Sequence, residues 1–390
     1  MHHITKDMKI GFDGKRALRN MTGLGNYSRL VVESLAETYP QLQLTLYSPR
    51  DGDNERLHKI RELSNVSVRL PGKGEAPLGG SLWRTRGMTH LFQTDGIDLF
   101  HGLSNELPLN ISKSGIPSVV TMHDVIYRRM PECYNLPDRI IYDFKYGRAC
   151  RHATRVIAVS ERTKRDVMEF YGIGEEKIDI VYQGCDDIFR ERLDNAQIAG
   201  TKEKYGIRTP YIIQVGSIEK RKNAMVSVKA LSRLPQEYSL LLVGRRTAYL
   251  EKVMGEAARL GVSERVQVLD NVVFKDLPAL YQGAEAAVYP SRYEGFGIPV
   301  LEALNSRIPC IAAKGSCLEE AGGTQGIYID PDDPRELAEA LDVVINEETV
   351  RTAMIEEGLR HAARFSNADI PARLMSVYRQ AVEDHSRGCR

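Results

Sequence analysis

The sequence predicts an α/β protein with two doubly wound parallel sheets, one in each half of the chain. A chain of 390 residues with 42% hydrophobic content is too long for one ordinary core and suits two domains of fewer than ~200 residues each. Short apolar, β-branched runs alternate with amphipathic helical patterns throughout. That alternation is typical of parallel sheets covered by helices on both faces.

The apolar runs predict six strands in each half. In the first half they cover residues 9–13, 42–47, 66–70, 98–101, 118–122 and 155–159. In the second half they cover residues 211–215, 239–243, 266–269, 286–289, 309–312 and 326–329. Asp333 to Glu336 read as a capping box that opens a helix over residues 337–345. The last amphipathic stretch, 370–384, predicts a terminal helix.

The weakest region between the two halves is the polar stretch that starts at residues 183–187 and continues through 191–205. We therefore expect an N-terminal domain over residues 1–185, a C-terminal domain over 186–368, and a terminal helical segment over 369–390.

Composition excludes several classes of partner. The 53 basic and 52 acidic residues give a net charge of +1, so no global field favours nucleic acid. The six cysteines, including Cys389, form no zinc spacing or Cys-x-x-Cys pair and are expected to be reduced thiols. The first seven residues have no apolar core, and no run of about 18 apolar residues occurs. These features predict a cytoplasmic protein that is neither exported nor membrane-spanning.

The most informative segment covers residues 290–304, where two carboxylates, Glu294 and Glu302, flank a glycine turn that opens a helix. Pro299 suits the first helical turn, because its missing N–H would be unpaired there. The N–H groups near Gly297 and Ile298 would point beyond the end of the preceding strand, a geometry that attracts phosphate. A simple strand-turn-helix with a capping glutamate is the alternative.

A cationic run follows the predicted strand 211–215. Gly216 and Ser217 lead to Lys220, Arg221 and Lys222, at the carboxyl end of the strand, where open α/β sheets bind ligands. A diphosphate needs such charges. Taken alone, such a run is more often a solvated turn.

Gly23 and Gly25 lie between the first strand and a helix predicted over residues 27–38. Their backbone could pass close to a phosphate or a sugar, although an ordinary tight turn would look the same. A dinucleotide loop requires a third glycine where Ser28 stands, so NAD binding is disfavoured.

His123 and Asp124 end a buried strand with two successive polar groups, which is costly unless they face a cleft or a partner. Asp124 could instead cap the loop. His101 also ends a strand and is a candidate for shaping an acceptor cleft.

The spacing from Glu294 to Glu302 resembles the Glu-x7-Glu motif of retaining glycosyltransferases of the GT-B fold, in the group called family 4. The resemblance extends through residues 272–274, 277–281 and 331–334, and weaker similar stretches run from residue 9 to the terminal helix. It implies two Rossmann-like domains facing a central cleft, with the C-terminal helix crossing back to the first domain.

The resemblance also implies roles for the candidate residues. The catalytic set is His123, Arg221, Lys222 and Glu294; the donor-binding set is Gly23, Gly25, Gly216, Ser217, Phe296, Gly297, Ile298 and Glu302. Glu302 would bind the ribose, Glu294 the sugar, and the Arg-Lys pair the diphosphate, without a metal or other cofactor. Many relatives carry arginine at the position of Ser217, so here the diphosphate would depend on Arg221 and Lys222 alone.

The expected reaction is hexosyl transfer to a glycan or lipid-linked oligosaccharide, with GDP-mannose as the leading donor because the likeness is strongest to O-antigen and exopolysaccharide mannosyltransferases. A UDP-sugar transferase and a non-catalytic sugar-nucleotide-binding protein are the alternatives. A basic aromatic helix is either a solvated face or a surface that contacts the inner membrane. Its predicted members are Arg139, Tyr142, Phe144, Lys145, Tyr146, Arg148, Arg151 and Arg155.

Overall fold

The computed structural model describes residues 8–76 and 79–388. It forms two compact units: the first combines the chain up to Gln183 with the segment from Asn367 onward, and the second covers Gly184–Ser366. The domain boundaries expected at 185/186 and 368/369 lie two residues from these divisions. Cys389 falls outside the described residues, as does the N-terminal segment 1–7.

The first unit contains a parallel sheet of seven strands in the order β3-β2-β1-β4-β5-β6-β7. The strands are β1 Lys9–Asp13, β2 Gln43–Tyr47, β3 Val66–Arg69, β4 Leu99–Gly102, β5 Ser118–Met122, β6 Arg155–Ala158 and β7 Ile178–Ile180. Its helices before the crossing to the second unit are α1 Lys15–Arg19, α2 Gly23–Thr38, α3 His58–Glu62, α4 Gly80–Leu82, α5 Leu91–Thr94, α6 Ile126–Arg129, α7 Leu136–His152 and α8 Glu161–Tyr171.

The second unit contains a parallel sheet of six strands in the order β10-β9-β8-β11-β12-β13. The strands are β8 Tyr211–Val215, β9 Ser239–Val243, β10 Val266–Leu269, β11 Ala286–Tyr289, β12 Cys310–Ala313 and β13 Ile327–Ile329. Its helices are α9 Asn195–Lys204, α10 Ala224–Leu231, α11 Tyr249–Arg259, α12 Leu277–Gln282, α13 Ile298–Asn305, α14 Leu318–Gly322, α15 Pro334–Asn346 and α16 Glu348–Ala362.

The terminal helix α17, Ile370–Gly388, belongs to the first unit although the chain reaches it from the second. Leu374, Met375 and Tyr378 are buried in the same core as Val31 and Leu35 of α2. Burial of several large apolar side chains is worth about 1.5–3 kcal/mol each, which fixes the helix on this unit. The predicted return of the C-terminal helix is confirmed. Within the described residues, no helix combines the length and apolar content needed to cross a bilayer.

Each sheet reverses its strand order once, between β1 and β4 in the first unit and between β8 and β11 in the second. Side chains that follow the two strands on either side of such a reversal share a crevice at the carboxyl edge, and ligands of open α/β sheets bind there. The Arg-Lys pair follows β8, and Glu294 follows β11.

All twelve predicted strands are present within one residue at each end, and three other expectations were wrong. The strand β7 was not predicted. Helix α2 begins at Gly23, four residues earlier than expected. The capping box forms only in part: Asp333 accepts a bond from the N–H of Arg335, but the Glu336 carboxylate accepts from the N–H of Asp330.

Candidate active site

Glu294 is the centre of a buried polar network in the turn between β11 and α13. Its Oε1 atom lies 2.6 Å from both Arg221 Nη1 and Lys222 Nζ. The same oxygen accepts hydrogen bonds from the Ser291 hydroxyl at 2.7 Å and the Tyr289 hydroxyl at 3.0 Å. Within the described residues Oε2 has no partner, so one oxygen is fixed by the protein and the other is left for a ligand.

Electrostatics keep this carboxylate ionised. Burial alone would favour the neutral acid, but the charges of Lys222 and Arg221 outweigh it and lower the pKa of Glu294 to about 2. Burial lowers the pKa of Lys222, as does the neighbouring Arg221. The ammonium also contacts the Tyr289 hydroxyl and lies 4.8 Å from the centre of that ring. Two cations therefore share one carboxylate oxygen, and a second carboxylate, Glu219, lies 3.9 Å from Arg221 Nη2.

Glu302 lies in α13, and its environment differs from that of Glu294. It accepts one hydrogen bond, from the Tyr281 hydroxyl of α12 to Oε2 at 3.0 Å. Burial raises its pKa to about 7, although Tyr281 and the more distant Lys222 act in the opposite direction. The negative charge of Asp186 also raises this pKa. A carboxyl group with a pKa close to 7 is partly protonated at neutral pH. Its ionised form can accept hydrogen bonds from a diol with both oxygens, whereas the protonated form cannot.

The turn that starts α13 has a geometry that only glycine permits. Gly297 precedes the helix with φ of 121°, a value that L side chains rarely adopt. A Cβ atom there would lie 2.8 Å from Leu318 Cδ2. Among the described residues, the N–H groups of Gly297 and Ile298 have no acceptor, as predicted for the start of an anion-binding helix.

Cys317 supports this turn from below, and sequence reasoning gave it no role. Its buried thiol contacts the Phe296 carbonyl at 2.7 Å and the Glu294 carbonyl at 3.1 Å. Phe296 itself packs edge-on against Phe365, with ring centres 5.3 Å apart. The Phe296 side chain is thus part of the core, and only its backbone remains a candidate for ligand contact.

The loop after β8 approaches the neighbouring strand through paired glycines. Gly216 has φ of 142°, and its N–H donates to the Val243 carbonyl at 2.8 Å. A Cβ atom on Gly244 would lie 2.2 Å from the Gly216 carbonyl oxygen, so the two loops meet only because Gly244 has no side chain. Ser217 is partly exposed next to this contact.

Asn223 is a second residue that sequence reasoning missed. It adopts the left-handed conformation, with φ of 60°, immediately before α10. Its side-chain amide donates to the Pro331 carbonyl at 2.6 Å and to the Pro290 carbonyl at 3.2 Å. It therefore ties together the loops that follow three strands. The available sequence signal was an asparagine, a residue type that tolerates the left-handed conformation, directly after two cations.

His123 lies at the end of β5 in the first unit. Its Nε2 atom is 2.9 Å from the Leu103 carbonyl oxygen, which can only accept, so Nε2 carries the proton and Nδ1 is an acceptor. Burial lowers the pKa of His123 to about 4, a value that includes an opposing effect of the hydrogen bond to Leu103 and a smaller lowering by the positive charge of Arg16. The imidazole is neutral and packs edge-on against Tyr27 with ring centres 4.6 Å apart.

Gly23 and Gly25 form the first turn of α2 rather than the loop expected from the sequence. A Cβ atom on Gly25 would lie 1.8 Å from the Asn20 carbonyl oxygen, whereas one on Gly23 would meet no atom within 4 Å. The first glycine is thus free of steric constraint and the second is required by its neighbour. Tyr27 of the same helix links them to the β5 end, since its hydroxyl bonds the Thr121 side chain at 3.2 Å.

Two other strand-end candidates of the first unit have structural roles. His101 is fully buried between the Tyr378 and Thr121 hydroxyls, each 2.8 Å from a ring nitrogen, so it does not shape a cleft. Asp124 accepts a bond from the N–H of Ile126 and starts α6, which is the capping alternative.

Each unit matches a known protein family. Residues 22–188 match the family model Glycosyltransferase Family 4, and residues 199–361 match the model Glycosyl transferases group 1. The chain belongs to these glycosyltransferases. The donor-type residues from Gly216 to Glu302 all fall within the group 1 match, and Gly23, Gly25 and His123 fall within the family 4 match.

Relatives of this glycosyltransferase include the O-antigen chain mannosyltransferase B of Escherichia coli, 27% identical over 72% of this chain and 74% of that one. A D-inositol 3-phosphate glycosyltransferase of Thermobispora bispora is 28% identical over 80% of this chain and 77% of the relative. Among solved structures, Anabaena HepE in complex with UDP and glucose has a TM-score of 0.76 at 20% identity, covering 96% of this chain and 100% of HepE. This likeness supports the GT-B fold.

Proposed function

We propose that this glycosyltransferase moves a hexose from a nucleoside diphosphate sugar to a hydroxyl of a glycan or lipid-linked oligosaccharide, with retention at the anomeric carbon. The observation that carries the proposal is the contact of Arg221 and Lys222 with a single oxygen of Glu294, across the strand reversal of the second sheet. That crevice is where an open α/β sheet binds its ligand.

The cluster suits the charge that develops during transfer. As the glycosidic bond to the diphosphate breaks, negative charge builds on the leaving phosphate. Arg221, Lys222 and the free N–H groups of Gly297 and Ile298 would stabilise that charge. Glu302 would accept bonds from the ribose hydroxyls, and the unpartnered Oε2 of Glu294 would accept from a sugar hydroxyl.

Metal independence is part of the proposal. The described residues contain no group of three or more His, Cys, Asp or Glu side chains placed to bind a metal ion. Two side-chain cations and a helix N-terminus supply the positive charge that a divalent ion supplies in other transferases.

The first unit would bind the acceptor and contact the transferred sugar. The neutral His123 would accept a bond at Nδ1 from a sugar hydroxyl, because Nε2–H is already used by the Leu103 carbonyl. Gly23 and Gly25 would bring the α2 N-terminus close to the donor.

The donor is proposed to be GDP-mannose, in surface polysaccharide biosynthesis on the cytoplasmic face of the membrane. The name of the E. coli relative, an O-antigen chain mannosyltransferase, supports this choice. A UDP-sugar such as UDP-glucose is the second candidate, because HepE was solved with UDP and glucose. A non-catalytic protein would bind nucleotide without turnover.

A donor screen tests these alternatives. The purified protein, treated with EDTA, is incubated with a lipid-linked oligosaccharide and GDP-mannose, UDP-glucose or other UDP- and GDP-sugars, and products are identified by mass spectrometry. Mannose transfer without added metal is expected. Transfer from UDP-glucose alone would replace the donor, and activity that requires added Mn²⁺ or Mg²⁺ would contradict metal independence. Binding of nucleotide without product from any donor would favour the non-catalytic reading.

A further inference from the structure

A cavity of about 240 Å³ lies in the second unit, between helices α13 and α16 and the loop that joins α14 to β13. Its interior is apolar, with the buried side chains of Val300 and Leu304 from α13 and Met354 from α16. The exposed residues Thr324 and Gln325 also line it, so the cavity opens to solvent. A small molecule could therefore enter and place an apolar body inside.

Helix α13 separates this cavity from the donor crevice. Val300 and Leu304 line the cavity, whereas Glu302 stands two residues from each of them, about half a turn around the helix. On that other face, Glu302 accepts the hydrogen bond from Tyr281 of α12. The cavity is thus distinct from the crevice proposed for the nucleotide, and no step of the proposed reaction uses it.

Glycines at the end of α14 and in the loop to β13 give the cavity a closely packed wall. A Cβ atom on Gly322 or Gly326 would lie 2.5 Å or 2.6 Å from the Tyr328 hydroxyl oxygen. A Cβ atom on Gly323, which has φ of 82°, would lie 2.7 Å from His361 Cγ. Both rings pack directly on the loop only because these side chains are absent. The space beside them is therefore bounded by a well-packed wall and is not a gap in loose structure.

The charged side chains along the cavity leave one cation without a partner. The described lining contains one carboxylate, Glu357, and two guanidinium groups, Arg360 and Arg364. Glu357 forms an ion pair with Arg360. Among the residues that the structure describes, Arg364 has neither an ion pair nor a hydrogen bond. An unpaired guanidinium beside an apolar cavity suits a ligand with a negative charge at one end.

We propose that this cavity binds a small organic anion, with the apolar body between α13 and Met354 and the carboxylate or phosphate on Arg364. An apolar cavity of about 150 Å³ holds benzene. A volume of about 240 Å³ therefore admits a body of that size together with an anionic group. Binding there does not depend on the transferase activity.

Methyl NMR of the full chain with isotope-labelled methionine tests the cavity directly, because Met354 lines it. The probes are benzoate and phenyl phosphate, with benzyl alcohol as the neutral counterpart, and no nucleotide is added. At least one anion is expected to shift the Met354 resonance saturably, about tenfold or more tighter than benzyl alcohol. The tighter anion identifies the group that Arg364 prefers. Met254 of α11 does not line the cavity, and its resonance should not move.

Three variants locate the binding. Arg364→Glu should raise the dissociation constant of the tighter anion about tenfold or more. Ala312→Leu puts a larger side chain on the cavity wall and should prevent binding. Arg233→Glu changes an exposed arginine of the second unit that does not line the cavity, and it should bind as the parent does. Arg364 is exposed, so its replacement decides the matter if melting curves show that Ala312→Leu does not fold.

The proposal is overturned if neither anion moves the Met354 resonance, or if benzyl alcohol binds as tightly as the anions. It is also overturned if Arg364→Glu, or a folded Ala312→Leu, binds the anion as the parent does. A Met254 resonance that shifts in parallel with that of Met354 would show that the anions do not act at this cavity.

Discussion

At the scale of single residues, the Glu294 carboxylate holds the two cations that are proposed to bind the diphosphate. Both cations contact Oε1, together with two hydroxyls, so the network already orders the side chains that would meet a diphosphate. Preorganised charges of this kind stabilise a transition state without reorganising when charge develops.

Arg221→Ala and Lys222→Ala are each expected to lower donor turnover about 100-fold, or ~3 kcal/mol of transition-state stabilisation. Steady-state kinetics with saturating donor measure the effect. Lys220→Ala is the matched control, since Lys220 is exposed beside them and should leave the rate unchanged. If both variants turned over at rates near the parent's, with unchanged melting temperature, Arg221 and Lys222 would not be the residues that stabilise the diphosphate.

Substitutions of the two glutamates are expected to affect different steps. Glu294→Gln should lower kcat, because it loses a charged acceptor for the sugar and the counter-charge of Lys222. Glu302→Gln should mainly weaken nucleotide binding. Calorimetry with the nucleoside diphosphate and initial-rate kinetics distinguish the two effects. If Glu294→Gln altered nucleotide affinity alone, the roles proposed for Glu294 and Glu302 would have to be exchanged.

Tyr281 is expected to set the pH dependence of nucleotide binding. The pKa of Glu302 is about 7, raised by burial and Asp186, and the Tyr281 hydrogen bond lowers it. If the carboxylate binds the ribose, affinity is full above this pKa and falls as the pH drops through it. Tyr281→Phe removes the donor, so the midpoint should move to higher pH.

Nucleotide titrations between pH 5.5 and 9 measure the midpoint. Tyr328→Phe serves as the control, because its hydroxyl binds backbone carbonyls away from Glu302. A midpoint that is the same in Tyr281→Phe and the parent would show that Glu302 does not titrate with binding.

At the scale of secondary-structure elements, the two glycines at the start of α2 differ: Gly25 is sterically required and Gly23 is not. Gly25→Ala should destabilise the protein by more than ~2 kcal/mol, because the new methyl would meet the Asn20 carbonyl. Gly23→Ala should leave stability unchanged or raise it by up to ~1 kcal/mol through helix propensity. Urea unfolding compares the two. Equal effects would contradict the described start of α2.

Elements with a strong local pattern could be predicted, and those fixed by distant contacts could not. Strands such as β11 and β12 are uninterrupted apolar runs buried on both faces, which identifies them in sequence. The edge strand β7 has three residues with Asp179 in the middle, which forms an ion pair with Arg155 of the neighbouring strand at 2.6 Å. No local pattern contains that pairing.

The same distinction applies to the candidate site. Glu294, Glu302, Arg221 and Lys222 stand at recognisable spacings next to predicted strand ends. Their supporting residues, Tyr281, Asn223 and Cys317, act through contacts 21 to 108 positions away in sequence. The phenol and the thiol carry no signal at those positions until the tertiary fold is known, and the asparagine after two cations gave only a weak one.

At the scale of the whole molecule, the candidate residues are divided between two units that the chain joins at Gln183–Gly184 and Ser366–Asn367. The proposed function assigns groups of both units to one sugar, so on that proposal nucleotide binding is expected to bring the units together. Small-angle scattering should show a smaller radius of gyration with the nucleoside diphosphate than without it. An unchanged radius at saturating nucleotide would indicate that no such closure accompanies donor binding.

The central claim is that the crevice between β8 and β11 is the site of the nucleoside diphosphate. A crystal structure of the protein with GDP, or with UDP if that is the nucleotide it binds, tests it most directly. We expect phosphate oxygens within hydrogen-bond distance of Arg221, Lys222 and the N–H of Ile298, with the ribose hydroxyls on Glu302. A diphosphate bound away from Arg221 and Lys222, with those cations still in contact with Glu294, would contradict it.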